Sequence, residues 1–460
     1  MKNTRRDFLK MTTAGLAGCM MPSLATATTV KKGVSARSSV YDSVQYDVVV
    51  VGAGASGIPA AIAAARQGAK VALVEEDLLP GGAPVDQFVT YLCGGPRVGI
   101  YLEMIQGLNS RYSNDAVALP DFGDGGDGRS HWWHPTAFSQ ILYEMIVKEK
   151  SLTLICGAPV VDVIVTSGRV SGVQVFRNGG MQEISGKMTI DATGTGLVAE
   201  MAGCEVMYGT DAQSDYNEPF GVEAASDRVQ PCTWMMITNR VKAGAVLPYN
   251  DLERVSISED KYGFLKEHPG WEGRDAGMYL HWGWGKHFVD TRDPQALAEA
   301  QWYCLEKIQK DLNTLRKAGF SAVMAPKIGV RECRRIKGEY ILTATDLKSG
   351  LQPEDKIADC SYYMDDWSMS LTKEQKAVKP YGIPFRCLIP VGVEGLLLAG
   401  RIISGTHLAA SSYRVQPICA AIGEAAGLAA AKAAALNTSV RNLNFRDIGC
   451  ELKGMRVNSL

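Results

Sequence analysis

The sequence predicts an α/β fold in which a Rossmann-like, parallel-sheet domain is interrupted by an inserted, mixed α+β domain. Three observations predict it. The run "DVVVV" (Asp47 to Val51) is β-branched and of strand length, and its lack of apolar and polar alternation marks a strand buried on both faces. It meets "GAGASG" (Gly52 to Gly57) and a helix-like segment, and "KVALVEE" (Lys70 to Glu76) then closes a βαβ unit. Far down the chain "GLLLAGR" (Gly395 to Arg401) returns to buried-strand character, so the first domain comes in two parts. A chain of 460 residues is also longer than one hydrophobic core usually organises.

The elements follow in order. A signal-like segment (1–27) and a polar linker (28–44) lead into the first part of the dinucleotide domain, 45–209. Its first helix, "ASGIPAAIAAARQG", places Pro59 in the opening turn, where a missing N–H costs little, and stops at Gly68. Thr136 to Lys148 reads as a second helix. From Leu152 the pattern changes to short β-rich runs, "LTLIC", "PVVDVIVT" and "VSGVQVF", punctuated by Ser167-Gly168 and by Asn178-Gly179, a hairpin signal. The span 210–384 carries more aromatics and less apolar repetition and is expected to form the inserted substrate domain. Its clearest helix is capped by Asp293, has Pro294 at its first position, lines up Leu305, Ile308, Leu312 and Leu315 on one face and ends at Gly319. Residues 385–440 return to the first domain with an Ala-rich helix from Pro417 to Ala435. Residues 441–460 are left as a C-terminal tail.

With 46% hydrophobic and 21% charged residues the composition is that of an ordinary soluble protein, which excludes a disordered or fibrous chain. The first 27 residues hold Lys2, Arg5, Arg6 and Lys10 against Asp7, and losing that excess of three positive charges takes the formal net charge from -1 to -4. Such mild acidity argues against a nucleic-acid partner. After Lys10, "MTTAGLAGCMMPSLATA" is weakly apolar and too short for a membrane span. Its order of basic, apolar and small residues is that of a cleavable signal, and "TRRDFLK" resembles the twin-arginine export signal through Arg5, Arg6, Phe8, Leu9 and Lys10. Two processing readings stay open: cleavage after Ala27 in "ATA", and acylation of Cys19 in "LAGC", which would add a lipid anchor. The 11 cysteines include no CxxC, so no metal site is expected. Without Cys19 an even number remains, compatible with some disulfides, although most sit in the apolar contexts of small buried hydrophobes.

Gly52, Gly54 and Gly57 form GxGxxG between strand and helix. Gly52 permits the tight turn, Gly54 lets the backbone approach a pyrophosphate, and Gly57 allows close packing of the helix on the strand. The helix start supplies N–H donors and positive dipole to the phosphates. Glu75, ending the second strand, is placed to accept hydrogen bonds from an adenosine ribose, and Ala55, Ser56 and Gly82 complete the expected binding set on this side. Nicotinamide and flavin dinucleotides share this half-site, so other segments decide. "TIDATG" ends a strand at Gly194, and "LLLAGR" brings Gly400 and Arg401 ahead of a helix entered at Pro417. That helix N-terminus can face the pyrimidine end of a flavin and stabilise its reduced anion. Two distant parts of one chain folding into such a domain are expected of FAD binding and not of a simple NAD dehydrogenase.

Together "DVVVVGAGASGIPAAIAAARQGAKVALVEE", "IDATGTG", "RECRRIKGEYILT", "YGIPFRCLIP" and "GLLLAGRIISGTHLAASSYRVQPICAAIGEAAGLAAA" resemble the FAD-dependent oxidoreductase family of glutathione-reductase-type fold. The resemblance spans roughly residues 45–436 and thins between about 210 and 320. It implies noncovalent FAD and a flavin-dependent redox reaction, and brings no substrate with it. Gly52, Gly54, Gly57 and Glu75 match the family's adenosine-diphosphate site and Gly194 its second glycine turn. Gly400 and Arg401 match the strand end near the ribityl chain, and Arg414, Pro417 and Gly423 the run entering the last helix. Arg331, Arg334 and Arg335 match an Arg-rich strand, two of them expected in structural ion pairs, and Arg386 matches the arginine of "IPFR". One departure is "MDDWS", with Trp367 where the family often has a histidine.

The expected activity is therefore that of an exported, periplasmic or extracytoplasmic FAD enzyme, loaded with cofactor before transit by the twin-arginine machinery. It would oxidise a small organic substrate, of hydroxy acid, sugar or amine type, by hydride transfer to flavin N5, and pass electrons to a quinone, a cytochrome or oxygen. Arg386 is the expected anchor for an anionic group and His407 the expected base. The alternatives are a fumarate-reductase-like reductase of an unsaturated acceptor, with Arg335 as acid, and a flavin-binding lipoprotein that relays electrons without turnover. His281 and His287 are too weakly spaced for a metal, and Trp132, Trp133, Trp282 and Trp284 either stack on a substrate or pack in a core.

Overall fold

The first domain is built on a sheet whose centre is parallel and whose edge is a meander. The computed structural model describes residues 45–90, 92, 94–112, 117–120, 129–248, 251–252 and 278–458. The export signal, Cys19, the site after Ala27 and the side chain of Trp132 lie outside the described residues. Residues Ser43–Leu460 form one compact unit.

Strand β1 (Tyr46–Val51) is flanked in parallel by β2 (Val71–Val74), which in turn pairs in parallel with β3 (Leu152–Ile155). Strands β4 (Val160–Thr166), β5 (Arg169–Arg177) and β6 (Gly180–Asp191) are an antiparallel meander. The far half of β6 also pairs in parallel with β1, carrying the meander onto the central sheet. Ser167-Gly168 and Asn178-Gly179 have φ of 53° and 75°, and 55° and 77°. Two successive positive φ values are the requirement of the tight turn that matches strand twist, so Asn178-Gly179 makes the hairpin it signals.

The inserted span carries its own sheet of three antiparallel strands: β7 (Cys232–Arg240) lies between β8 (Met278–Lys286) and β9 (Phe320–Met324). These strands were not evident as sequence runs. Helix Pro294–Ala318 backs this sheet, its N-terminus capped by Asp293 accepting from the Gln295 N–H at 2.9 Å and its end turned by Gly319 at φ 92°. Strand β10 (Leu396–Leu398) then pairs in parallel with β6, returning the chain to the first sheet.

Helix α1 (Gly57–Arg66) is buried along nearly its whole length against the sheet. Helices α2 (Gly99–Tyr112) and α3 (Pro135–Lys148) pack beside it; α2 was not among the helices expected from the sequence. Near the end come α4 (His407–Tyr413), α5 (Gln416–Leu436) and α6 (Phe445–Asn458), the last of which occupies the expected tail. Helix α5 is long and apolar enough to cross a membrane, but 89% of that apolar stretch is buried in the protein. It spends its apolar surface on β1, β6 and α1 as the central core helix. A Cβ on Gly427 would lie 2.1 Å from the Ala60 carbonyl oxygen and one on Gly423 2.0 Å from that of Ser56, so the two helices touch backbone to backbone.

Candidate functional site

The turn after β1 is forced by Gly52, whose φ of 97° puts the next amides in front of α1. The N–H of Ala53 donates to the Glu75 carboxylate at 2.6 Å, and the N–H of Asp77 donates to its other oxygen at 3.0 Å. Burial at the end of β2 pushes the Glu75 carboxyl above its ordinary value, with these two N–H groups opposing. Glu75 is thereby fixed beside the glycine turn.

The expected binding residues converge here from four separate segments. Gly82, at φ 60°, faces Gly54: a Cβ on Gly82 would meet the Gly54 Cα at 2.9 Å. A Cβ on Gly400 would lie 2.6 Å from the Ser56 hydroxyl, which brings the end of β10 to the start of α1. Arg401 donates to the Gly194 carbonyl at 2.7 Å, and Pro417 opens α5 against the loop at Gly95. Gly57 sits against the Gly52 carbonyl, and Ala55 completes the turn between them. Thus "GAGASG", "PGGAP", "DATG" and "AGR" come together at the N-terminus of α1, where the Ile58 and Ala60 N–H groups already bond the Gly54 and Ser56 carbonyls and the helix turns its positive end toward the four segments.

The three expected catalytic residues are placed differently. His407 is buried, its Nδ1 2.9 Å from Glu332 and its Nε2 2.9 Å from Asp366 and 3.0 Å from the Ser368 hydroxyl. Burial disfavours its charge, but the two carboxylates outweigh this and raise its pKa to about 10. The imidazole is held as a cation with both nitrogens engaged, and no lone pair is left for a substrate proton. This corrects the base role expected of it.

Arg335 is likewise enclosed: it pairs with Glu332 and with Asp211 at 3.1 Å, and donates to the carbonyls of Gly405 (3.0 Å) and Gly209 (2.9 Å). Buried and held by two carboxylates and two carbonyls, the guanidinium is engaged in structural bonds, which counts against the acid role of the reductase reading. Arg386 gives two parallel bonds to Asp355, at 2.9 and 3.1 Å, and lies over the Tyr340 ring. Its carboxylate partner is thus inside the protein, where a substrate anion had been expected. Asp366, in the "MDDWS" segment, is the partner of His407, and Trp367 follows it where the family often has a histidine.

Of the Arg-rich strand, Arg334 pairs with Glu200 at 2.8 Å and Arg335 with its two acids, as two of the three were expected to do. Arg331 differs. It donates to the Pro231 carbonyl at 2.8 Å, keeps part of its surface accessible, and has no carboxylate within ion-pair distance among the described residues. Arg414, the next charge along, pairs with Asp365 at 3.1 Å. Tyr362 donates to the same carboxylate at 3.4 Å.

The aromatic residues divide. Trp133 is buried edge-on to Phe138 in the main core, while Trp282 and Trp284 pack within the inserted sheet. His281 is buried against the Thr238 hydroxyl at 2.7 Å and burial lowers its pKa to about 3, while His287 is exposed. All nine described cysteines are free.

A protein-family model described as FAD dependent oxidoreductase matches residues 47–452. Over 172 residues the chain is 28% identical to the tRNA uridine 5-carboxymethylaminomethyl modification enzyme MnmG of Streptococcus agalactiae serotype Ia, covering 35% of this chain and 26% of that protein. Over 340 residues it is 23% identical to MnmG of Streptococcus gordonii, covering 72% and 49%. The matches thus span between about a quarter and a half of the length of these relatives. Among solved structures, a geranylgeranyl bacteriochlorophyll reductase-like protein from Thermoplasma acidophilum covers 90% of this chain and 84% of its own at 13% identity, with a TM-score of 0.42.

Proposed function

Because the chain belongs to the FAD-dependent oxidoreductase family, we propose that it is an exported enzyme oxidising a small organic substrate at the groove where its first and last thirds meet. FAD is its cofactor, and the residues present fit that group. Glu75 beside the turn would accept from a ribose, and Gly54 and Gly82 approach so closely that a Cβ on Gly82 would stand 2.9 Å from the Gly54 Cα, so Gly82 has no room for a side chain between the two loops. The positive end of α1, which starts at Gly57 right after the glycine turn, would face a pyrophosphate. The start of α5, entered at Gln416 and Pro417, adds a second positive helix end for the opposite end of the cofactor.

When bound, FAD supplies a two-electron acceptor, and the protein supplies binding, orientation and proton handling. Arg401 fixes the Gly194 turn, and the Asp211–Arg335–Glu332–His407–Asp366 network ties together the segments around Arg331, which itself lies in irregular chain ahead of the two-residue strand Arg335–Ile336. In this reading the proton lost by the substrate goes to Asp365, the carboxylate beside Arg331 and Arg414, and no longer to His407. The tRNA chemistry of the MnmG relatives stays with those proteins, since the matches leave half or more of their length unaccounted for.

Export, expected from Arg5, Arg6 and the run to Ala27, suits an enzyme loaded with FAD while folded, and points to a quinone, a cytochrome or oxygen as the electron sink. The single observation carrying the reading is the convergence of Gly54, Gly82, Gly194, Gly400 and Glu75 on one groove. The test is an anaerobic absorbance spectrum of the purified protein, followed by titration with hydroxy acids, amines and sugars. Bleaching of a released-FAD-type spectrum by one donor class is the expected result. Bleaching only by dithionite would favour the reductase or electron-relay alternatives, and a colourless protein would overturn the assignment.

A further inference from the structure

The inserted segment and the cofactor domain each contribute an arginine to one wall, and the charge there is not balanced. Arg331 comes from the inserted side: it follows Val330, which packs with Cys232 and Ile328 under the inserted sheet, and it bonds the Pro231 carbonyl that opens β7. Arg414 comes from the turn between α4 and α5, with Asp365 as its partner and its Nε buried without one. Arg401 donates to the Val330 carbonyl, directly behind Arg331. The acids among them are Asp365 and Asp86, and Asp86 has a buried oxygen with no partner and a pKa raised to about 6, chiefly by burial.

An arginine cannot relieve such crowding by losing its proton under ordinary conditions. Burial and the Arg414 charge together lower the Arg331 pKa to about 10, which still leaves it a cation at neutral pH. A second observation points the same way. Gln230 is 1% exposed, and both the oxygen and the nitrogen of its side-chain amide are buried without a hydrogen-bond partner among the described residues. Its backbone N–H donates to Glu332 at 3.0 Å, which pins it beside the Arg331 segment. Buried polar groups without partners are uncommon in folded proteins, and a ligand is one of the things that satisfies them.

We propose that Arg331, with Arg414 opposite, binds the carboxylate of the substrate, and that the Gln230 amide bonds a neighbouring hydroxyl or amine, so that the substrate class is small 2-hydroxy or 2-amino acids. This rests on the oxidoreductase reading above and narrows its substrate. A planar guanidinium matches a carboxylate with two parallel bonds, and the bound anion cancels the repulsion between the two arginines. Sugars and simple amines, lacking the anion, leave that repulsion in place.

The experiment titrates the FAD-loaded enzyme with acetate and glycolate, and with the uncharged acetamide and glycolamide, by calorimetry and by the shift of the flavin absorbance band. The acids are expected to bind and shift the band while the amides do not. Arg331→Gln is expected to weaken glycolate at least tenfold at unchanged FAD content and melting temperature, with Arg331→Lys intermediate. Equal response to acids and amides, or no response to either, would overturn the proposal on the wild-type protein alone, whatever the variants do. Unchanged glycolate affinity in Arg331→Gln, with a lowered flavin midpoint potential, would also overturn it, by assigning the charge to the cofactor. Failure of the oxidoreductase reading is seen separately, as absence of released flavin.

Discussion

His407 is a residue whose environment decides its role. Its imidazolium is stabilised by Glu332 and Asp366 in the folded protein up to about pH 10, against 6.5 when unfolded. The sign follows: a raised folded pKa gives stability that is complete below pH 6.5 and is lost as pH rises through 10. Asp366, lowered to about 2 by the same partner against its own burial, keeps its contribution across that range and loses it only in strong acid. Urea unfolding of the wild type is therefore expected to show falling stability from pH 7 to 10. His407→Gln is expected to be about 3 to 5 kcal/mol less stable at pH 6.5, because two buried carboxylates lose their cation, with a shallower fall above it. Parallel slopes for the two proteins would refute this. The sequence showed a histidine between "SGT" and "LAA" and nothing of Glu332 or Asp366, which lie 75 and 41 positions away. Glu75 and the glycines were legible because a turn and a strand end need them locally. Arg331 and Arg335 were not separable, since the difference lies in which acids the fold brings to each.

At the scale of elements, the contact of α5 on α1 is set by glycine. Gly427→Val would drive a side chain into the Ala60 carbonyl, 2.1 Å from where the Cβ would stand, and is expected to cost about 1 to 3 kcal/mol and to loosen FAD. Gly454→Ala, on α6 with nothing within 4 Å of its Cβ, is expected to leave both unchanged or to stabilise slightly. Melting temperature and flavin content of the two variants side by side check the claim. Helix α1, β1, β2 and the meander were readable from local pattern: continuous valine, a Pro in the first turn, Asn-Gly at the hairpin. Helix α2 was not, because its apolar residues are diluted by Gly107 and Asn109 and the glycine serves a neighbour, lying against Ile141 of α3. Strands β7 to β9 were hidden by mixed aromatic and polar residues whose burial depends on the helix behind them and not on alternation. Helix α6 owes its place to Arg456, which bonds Glu424 and the Ala421 carbonyl of α5, a long-range tie that a tail of polar residues does not announce.

For the molecule as a whole, FAD should behave as part of the fold. A ligand held only by the native state stabilises it by about 2.7 kcal/mol at a hundred times its dissociation constant. Apoprotein is accordingly expected to melt higher with added FAD and to ignore NAD at the same concentration, and equal responses to both would contradict the flavin assignment. The pairing of the two distant parts in one sheet was legible from "GAGASG" and "LLLAGR" alone, while the placing of Arg331 near Arg414 arises only from the tertiary fold. Strand β10 completes the central sheet and α5 completes the groove, and both come from the last quarter of the chain. During synthesis, therefore, a ribosome still making those residues displays a turn and a Glu75 with nothing opposite them. Cofactor capture has to wait until those residues have been made, and a polypeptide stopped short of Gly400 would be a sheet with an open seam, a target for proteolysis and not a weaker enzyme.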